Sequence, residues 1–135
     1  MKKWMMLFGV TAVLTVLLTA CGGQPEIVIN EISLQLGDVV NGAVIQRELI
    51  VQNQGQADLN IEAVTTSCDC TQASVEPMTI PPGGSGTLHI EFDSGAHGSE
   101  LTGQIIRQVF IASNDPQQPE IVVELAANIL LPPAP

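Results

Sequence analysis

The chain has 135 residues with fourteen carboxylates against four Lys and Arg, for a formal charge of −10. A polyanion without a basic patch is a poor partner for nucleic acid or for anionic lipid headgroups. After Ala20 the only cations are Arg47 and Arg107, and neither Trp nor Tyr occurs. Sugar-binding and adhesive surfaces draw contact area from exposed aromatic rings, so the composition argues against both.

The N-terminus reads as an address. Lys2 and Lys3 precede an apolar run from Trp4 to Leu18, interrupted only by Gly9, Thr11 and Thr15. A basic start, a short apolar stretch and small residues at the exit make a secretory signal peptide over residues 1–20. The run is shorter than the roughly 20 apolar residues of a comfortable transmembrane helix. Leu18-Thr19-Ala20-Cys21 resembles the bacterial lipobox, in which the cysteine thiol receives diacylglycerol and becomes the new N-terminus. The resemblance implies lipidation of Cys21 and a partnership with the membrane through that anchor. Each buried methylene of a lipid chain adds about 0.8 kcal/mol, so two or three chains hold stably. Gly22 after the cysteine, where Asp would retain the protein, implies the outer membrane if the host has two. Residues 21–30 then carry the lipidated cysteine and a tether.

From residue 31 the pattern has period two, as in strands. Ile32, Leu34 and Leu36 alternate with polar neighbours before Gly37-Asp38 turns the chain. Ile45, Leu49 and Val51 form the next alternation, ended by Asn53-Gln54-Gly55, and Leu59, Ile61 and Ala63 the one after it. There the phase slips: Val64, Thr66, Cys68 and Cys70 take the opposite parity, which predicts a bulge near Ala63-Val64. Met78 and Ile80 lead into Pro81-Pro82-Gly83-Gly84, a turn. Leu88, Ile90 and Phe92 alternate, and a glycine-containing loop runs from Asp93 to Gly103. Ile105 to Ala112 is a dense apolar strand, Ser113-Asn114-Asp115-Pro116 turns it, and Ile121 to Ile129 close the series. About seven strands with regular turn signals and no helical period predict an all-β, immunoglobulin-like sandwich over residues 31–129. Residues 130–135 form a Pro-rich tail.

The succession Val51-Gln52-Asn53-Gln54-Gly55, Leu59-Asn60-Ile61, Thr66-Ser67-Cys68-Asp69-Cys70-Thr71, Ile80-Pro81-Pro82-Gly83, Phe92-Asp93 and Ala112-Ser113-Asn114-Asp115-Pro116 resembles a family of exported bacterial proteins. That family is known only as a domain of unknown function, and its fold is similar to the hydin and major-sperm-protein immunoglobulin-like domains. The resemblance covers residues 30–129 and implies fold and export rather than an activity. Members usually carry Cys-Gly-Cys; here Asp69 stands in place of the glycine.

Cys68-Asp69-Cys70 is the one constellation with chemistry. In a regular strand both thiols face one side, farther apart than the roughly 3.5–4.5 Å between Cβ atoms that a disulfide needs, so bridging requires a local turn. Three readings stand. The pair packs as small structural side chains, the favoured reading; it is a redox-active or labile disulfide; or it binds a soft metal, with Met78, His89 or His97 supplying further ligands. Asp69 disfavours a reactive thiolate by like-charge repulsion, and the sequence sets no Lys or Arg beside the pair. His89 has the parity opposite to Leu88, Ile90 and Phe92 and should face solvent. No local motif points to a hydrolase; Glu91, Asp93, Glu100 and Asp115 read as solvated charges.

The sequence therefore points to a non-enzymatic immunoglobulin-like interaction or structural module, lipid-anchored in the cell envelope through Cys21. It implies no cofactor, no nucleic acid and an envelope protein partner that the residues do not name. The alternative is an envelope thiol-redox or soft-metal-handling protein using Cys68 and Cys70.

Overall fold

The computed structural model describes residues 22–134. The segment read as a signal peptide, residues 1–20, and the expected lipidation site Cys21 lie outside the described residues, and no described helix is long and apolar enough to cross a membrane. The described chain is all β, in nine strands: β1 (Ile27–Ile29), β2 (Ser33–Val40), β3 (Val44–Asn53), β4 (Leu59–Thr66), β5 (Thr71–Glu76), β6 (Thr79–Ile80), β7 (Ser85–Asp93), β8 (Gly103–Ser113) and β9 (Glu120–Leu130). They form a four-stranded sheet, β1-β3-β7-β5, facing a five-stranded sheet, β2-β9-β8-β4-β6. Six of the seven long strands are those read from the alternation; β5, whose inward residues are Thr71, Ala73 and Val75, carries too weak an apolar signal, and β1 and β6, of three and two residues, are too short to show a period.

Alternation places the core. On β7, Leu88, Ile90 and Phe92 are buried, and on β9 Ile121, Val123, Leu125, Ala127 and Ile129 are buried while their neighbours face outward. With Val51, Leu59, Ile61, Val75, Val109 and Ile111 they fill the space between the two inner faces, as in any aligned sandwich. Full burial of each such side chain contributes roughly 1.5–3 kcal/mol, the main favourable term.

Three details depart from the sequence reading. Gly37-Asp38 does not turn the chain: β2 runs through both residues to Val40, and Gly37, at a φ of 72°, marks a register shift against β9 instead. Ile27 and Ile29 are buried and pair with β3, so strand structure begins inside the segment read as tether. The ladder between β4 and β8 slips between Ile61 and Ala63, slightly ahead of the bulge expected at Ala63-Val64. The slip exposes Ala63 and turns Val64 inward, where it packs against the core.

The sandwich has two distinct ends. At one, β1 pairs with the end of β3 through Ile27 and Asn53, and Gln52 pairs with Ser85. The segment read as a tether is fastened here as well: Gln54 N–H donates to Glu26 C=O and Gln56 N–H to Gln24 C=O, both at 2.9 Å. Gly55 permits this approach, because a Cβ there would collide with the carbonyl of Gln24. At the other end lie the β2–β3 turn, where Gly42 takes a φ of 91°, and the loop between β7 and β8.

Candidate functional site

The candidate site lies at the end remote from the tether. Val44 pairs with Asp93 and Thr71 with Phe92, while Asp93 N–H donates to Cys70 C=O at 2.8 Å. The ten residues of β3 separate this apex from β1 by roughly 30 Å at about 3.4 Å per residue.

The strand carrying the cysteines does not continue. β4 stops at Thr66, and residues 67–70 form the turn that carries the chain from one sheet to the other. Thr66 Oγ1 donates to Cys68 C=O at 3.0 Å and Thr71 N–H donates to the same carbonyl at 3.2 Å. Ser67 fixes the turn to β8: its N–H donates to Gln108 C=O and its Oγ accepts Gln108 N–H, each at 2.9 Å. The turn brings the Cα atoms of Cys68 and Cys70 to 5.2 Å, and the two residues are joined by a disulfide. The same-face strand geometry expected from parity is thus corrected: a tight turn replaces it and makes the bridge possible.

The two sulfurs are not equivalent. Cys70 is buried at 2% exposure, whereas Cys68 is only partly covered. Arg107 Nε donates to Cys70 Sγ at 3.2 Å, and Cys70 N–H donates to Cys68 Sγ at 3.2 Å. Thr71 Oγ1 lies 3.6 Å from Cys70 Sγ and 3.8 Å from Cys68 Sγ. The expectation that no cation attends the pair is therefore overturned. Arg107 comes from β8, across the crossover, and 37 residues of sequence hide its proximity in the fold. Its signal is present all the same: one of two cations in an acidic domain, placed within an otherwise apolar strand.

His97 also belongs to the apex. Its ring nitrogen and the two sulfurs lie within 4.8 Å of one another. Its loop is held down where Asn41 Nδ2 donates to the carbonyls of Gly98 and Leu101, and where Ser94, fully buried, donates to the carbonyls of Val40 and Ala43. Two sulfurs and one imidazole are a donor set suited to a thiophilic cation, available only when the bridge is open, because a disulfide sulfur lacks the thiolate charge. The other two candidate ligands are elsewhere. His89 faces outward, as its parity indicated, with Nδ1 3.1 Å from Glu48 Oε1. Met78 is exposed beyond the far end of β5.

The remaining polar residues that stand out in the sequence hold the fold. Asn53, 1% exposed, donates to the carbonyls of Ala57 and Ile80 and accepts N–H groups from Glu26 and Gly55. Asn114 accepts Asn60 N–H and donates to Asp58 C=O. Asp115 is corrected from a solvated charge to a buried one, 3% exposed. Burial alone would raise its pKa, but the N–H groups of Ile27, Gln117 and Gln118, at 2.9, 2.8 and 3.2 Å, outweigh that and hold it below its ordinary value.

Fold and site together define an immunoglobulin-like sandwich of the PapD type with a disulfide in its apical crossover. The chain belongs to the DUF1573 family, proteins of unknown function, whose model matches residues 27–129. Among solved structures it is similar to a protein of unknown function from Porphyromonas gingivalis W83, with 27% identity and a TM-score of 0.68. That match covers 78% of this chain and 46% of the other, so this chain spans about half the length of that relative. The seventh PapD-like domain of human CEP192 matches at 11% identity and a TM-score of 0.62, covering 82% of this chain and 89% of that one. The secreted serine protease VesC from Vibrio cholerae matches at 18% identity and a TM-score of 0.55, covering 75% of this chain and 22% of the protease. The last two likenesses concern the fold alone. No curated protein matches the chain.

Proposed function

We propose that this protein is a non-enzymatic interaction module of the cell envelope, held to a membrane by lipid on Cys21. The observation that carries the reading is where the chain's distinctive polar residues go. Asn53, Asn114 and Asp115 all tie turns and strand ends together at the tethered end of a PapD-type sandwich. Residues arranged that way support a rigid platform and leave the opposite end to meet a partner. Five residues, Gly22 to Glu26, separate Cys21 from β1, and they reach at most about 18 Å when extended. A lipid at Cys21 would therefore keep the tethered end close to the bilayer and point the apex away from it. The outer membrane is the proposed location where the host has two membranes.

The anchor is tested with Cys21→Ser. The variant should leave the membrane fraction, and retention after a high-salt wash would place the anchor elsewhere. Affinity capture of the lipidated protein from its native envelope, with a cross-linker attached at the apical loop, tests for the partner. Recovery only with linkers on the tethered end would oppose the proposed orientation.

The second reading, thiol-redox chemistry at Cys68 and Cys70, is favoured by one observation: the bridge lies in a surface crossover with a guanidinium on one sulfur.

A further inference from the structure

We infer that the Cys68–Cys70 disulfide is a polarised exchange centre, attacked at Cys68 and released at Cys70, which accepts two electrons from a dithiol partner. The inference rests on the thiol-redox reading and adds to it which sulfur reacts, what leaves, and what class of molecule supplies the electrons.

Thiol–disulfide exchange needs an accessible sulfur for the nucleophile and a stabilised thiolate as leaving group. The apex divides these requirements between its two cysteines. Cys68 is partly open to solvent, whereas Cys70 is almost completely covered. The covered sulfur is the one that holds Arg107 Nε at 3.2 Å, with Thr71 Oγ1 at 3.6 Å. A thiolate forming on Cys70 thus meets a fixed positive charge, whereas Cys68 Sγ has only the neutral N–H of Cys70 at 3.2 Å; Thr71 Oγ1 lies near both sulfurs. Charge distribution gives a second, independent argument. Two cations serve the fourteen carboxylates that follow Ala20, yet among the described residues neither arginine makes an ion pair with a carboxylate. Arg107 instead directs its Nε at sulfur.

The steps balance. A thiolate of the partner attacks Cys68 Sγ, forming an intermolecular S–S bond as the Cys68–Cys70 bond breaks, and the electron pair leaves on Cys70 Sγ beside Arg107. The partner's second thiol loses its proton to solvent and attacks its own sulfur in the mixed disulfide, so that Cys68 leaves as a thiolate. The partner ends as a disulfide and this chain as a dithiol, two electrons richer, its thiolates taking protons from water as the pH dictates. The partner is a dithiol protein able to reach an apex roughly 30 Å from the anchored end, by the length of β3. Exposed Asp69 and Glu100 at the apex favour a partner whose rim is neutral or cationic over an anionic thiol.

The test uses the full mature chain, oxidised and purified in detergent. Brief exposure to the monothiol cysteamine, acid quenching and peptide mass mapping should place the adduct on Cys68 at least tenfold over Cys70. Reduction by dithiothreitol should slow about tenfold in Arg107→Gln and be largely restored in Arg107→Lys, with unchanged circular dichroism confirming that both variants are folded. An adduct on Cys70, or equal adducts, would overturn the polarity while leaving thiol-redox chemistry standing. An unchanged rate in Arg107→Gln would remove Arg107 from the mechanism, since a purely structural arginine leaves the exchange rate of a folded protein alone. A bridge that resists dithiothreitol until the domain unfolds would overturn this inference and the thiol-redox reading together.

Discussion

Replacing Asp115 by Asn tests the tethered end with a change of very few atoms. The carboxylate accepts three backbone N–H groups, from Ile27 across the fold and from Gln117 and Gln118 in its own turn. An amide keeps one acceptor oxygen. If that oxygen stays on Gln117 and Gln118, the NH₂ group faces Ile27 N–H, donor against donor, in a buried place. An unsatisfied buried donor costs about 1–3 kcal/mol, and the surviving bonds drop from the range of about 1.5–3 kcal/mol for charged acceptors toward about 0.5–1.5 for neutral ones. The expected loss is about 3 kcal/mol, a large share of the roughly 5–15 kcal/mol that holds a domain together. With a urea slope of about 1–1.5 kcal/mol/M, the midpoint should fall by about 2 M.

The pH dependence separates this mechanism from general damage. The pKa of Asp115 in the folded protein is held below its ordinary value. Its contribution is therefore fully present above that ordinary value and is lost as pH falls through the folded pKa. The amide of the variant has nothing to protonate. The stability gap between the wild type and Asp115→Asn should be widest near neutral pH and narrow steadily below about pH 4. Urea titrations at several pH values measure it. A gap under about 0.5 kcal/mol at neutral pH, on the scale of an ordinary surface change, would refute the argument. So would a gap that stays constant through the acid range.

Other expectations are direct. Asn53→Ala should destabilise by more than about 2 kcal/mol, since it leaves two carbonyls and two N–H groups without their partner; urea unfolding measures this. Replacing both Cys68 and Cys70 by Ala removes a ring of three residues, whose loop-closure entropy is worth about 1.6 kcal/mol, so the melting temperature should drop modestly with the fold intact. If the apex is only structural, that variant keeps any envelope phenotype; if it exchanges thiols, the phenotype disappears from a folded protein. Far-ultraviolet circular dichroism of residues 24–135 should be β-dominated, and a helical double minimum would contradict the sandwich.

What is legible in the sequence follows from period. Strands such as β7 and β9 bury one face, so every second residue is apolar and the signal repeats three times on β7 and five times on β9. β1 escapes because Ile27 and Ile29 give a single cycle, indistinguishable from a linker. The apex escapes for a different reason. Its members come from β8, from the loop after β7 and from the β4–β5 crossover, and local pattern carries no information about which loops meet in space. Cys68 and Cys70 are visible as a pair, but the turn that bridges them is marked by no Gly or Pro, and the parity of the preceding strand suggests that β4 continues. Asp115 reads as solvated because Asp in a turn before Pro usually is; its burial depends on β1 arriving from 88 residues away.

The two ends of the sandwich divide stability from chemistry. At the β1 end, the buried side chains of Asn53 and Asp115 reach across long stretches of sequence, and removing one leaves several backbone groups unpaired. At the apex, the bridge closes only a three-residue ring, while Ser67 and Gln108 hold the crossover to β8 by two hydrogen bonds that involve neither sulfur. Opening the bridge therefore relinquishes about 1.6 kcal/mol of chain constraint and leaves the crossover attached. A disulfide that ties distant strands is worth about two to three times more to a small domain, and its reduction threatens the fold. The geometry lets this one open and close while the core between β7 and β9 stays packed, as the proposed exchange at the apex would require.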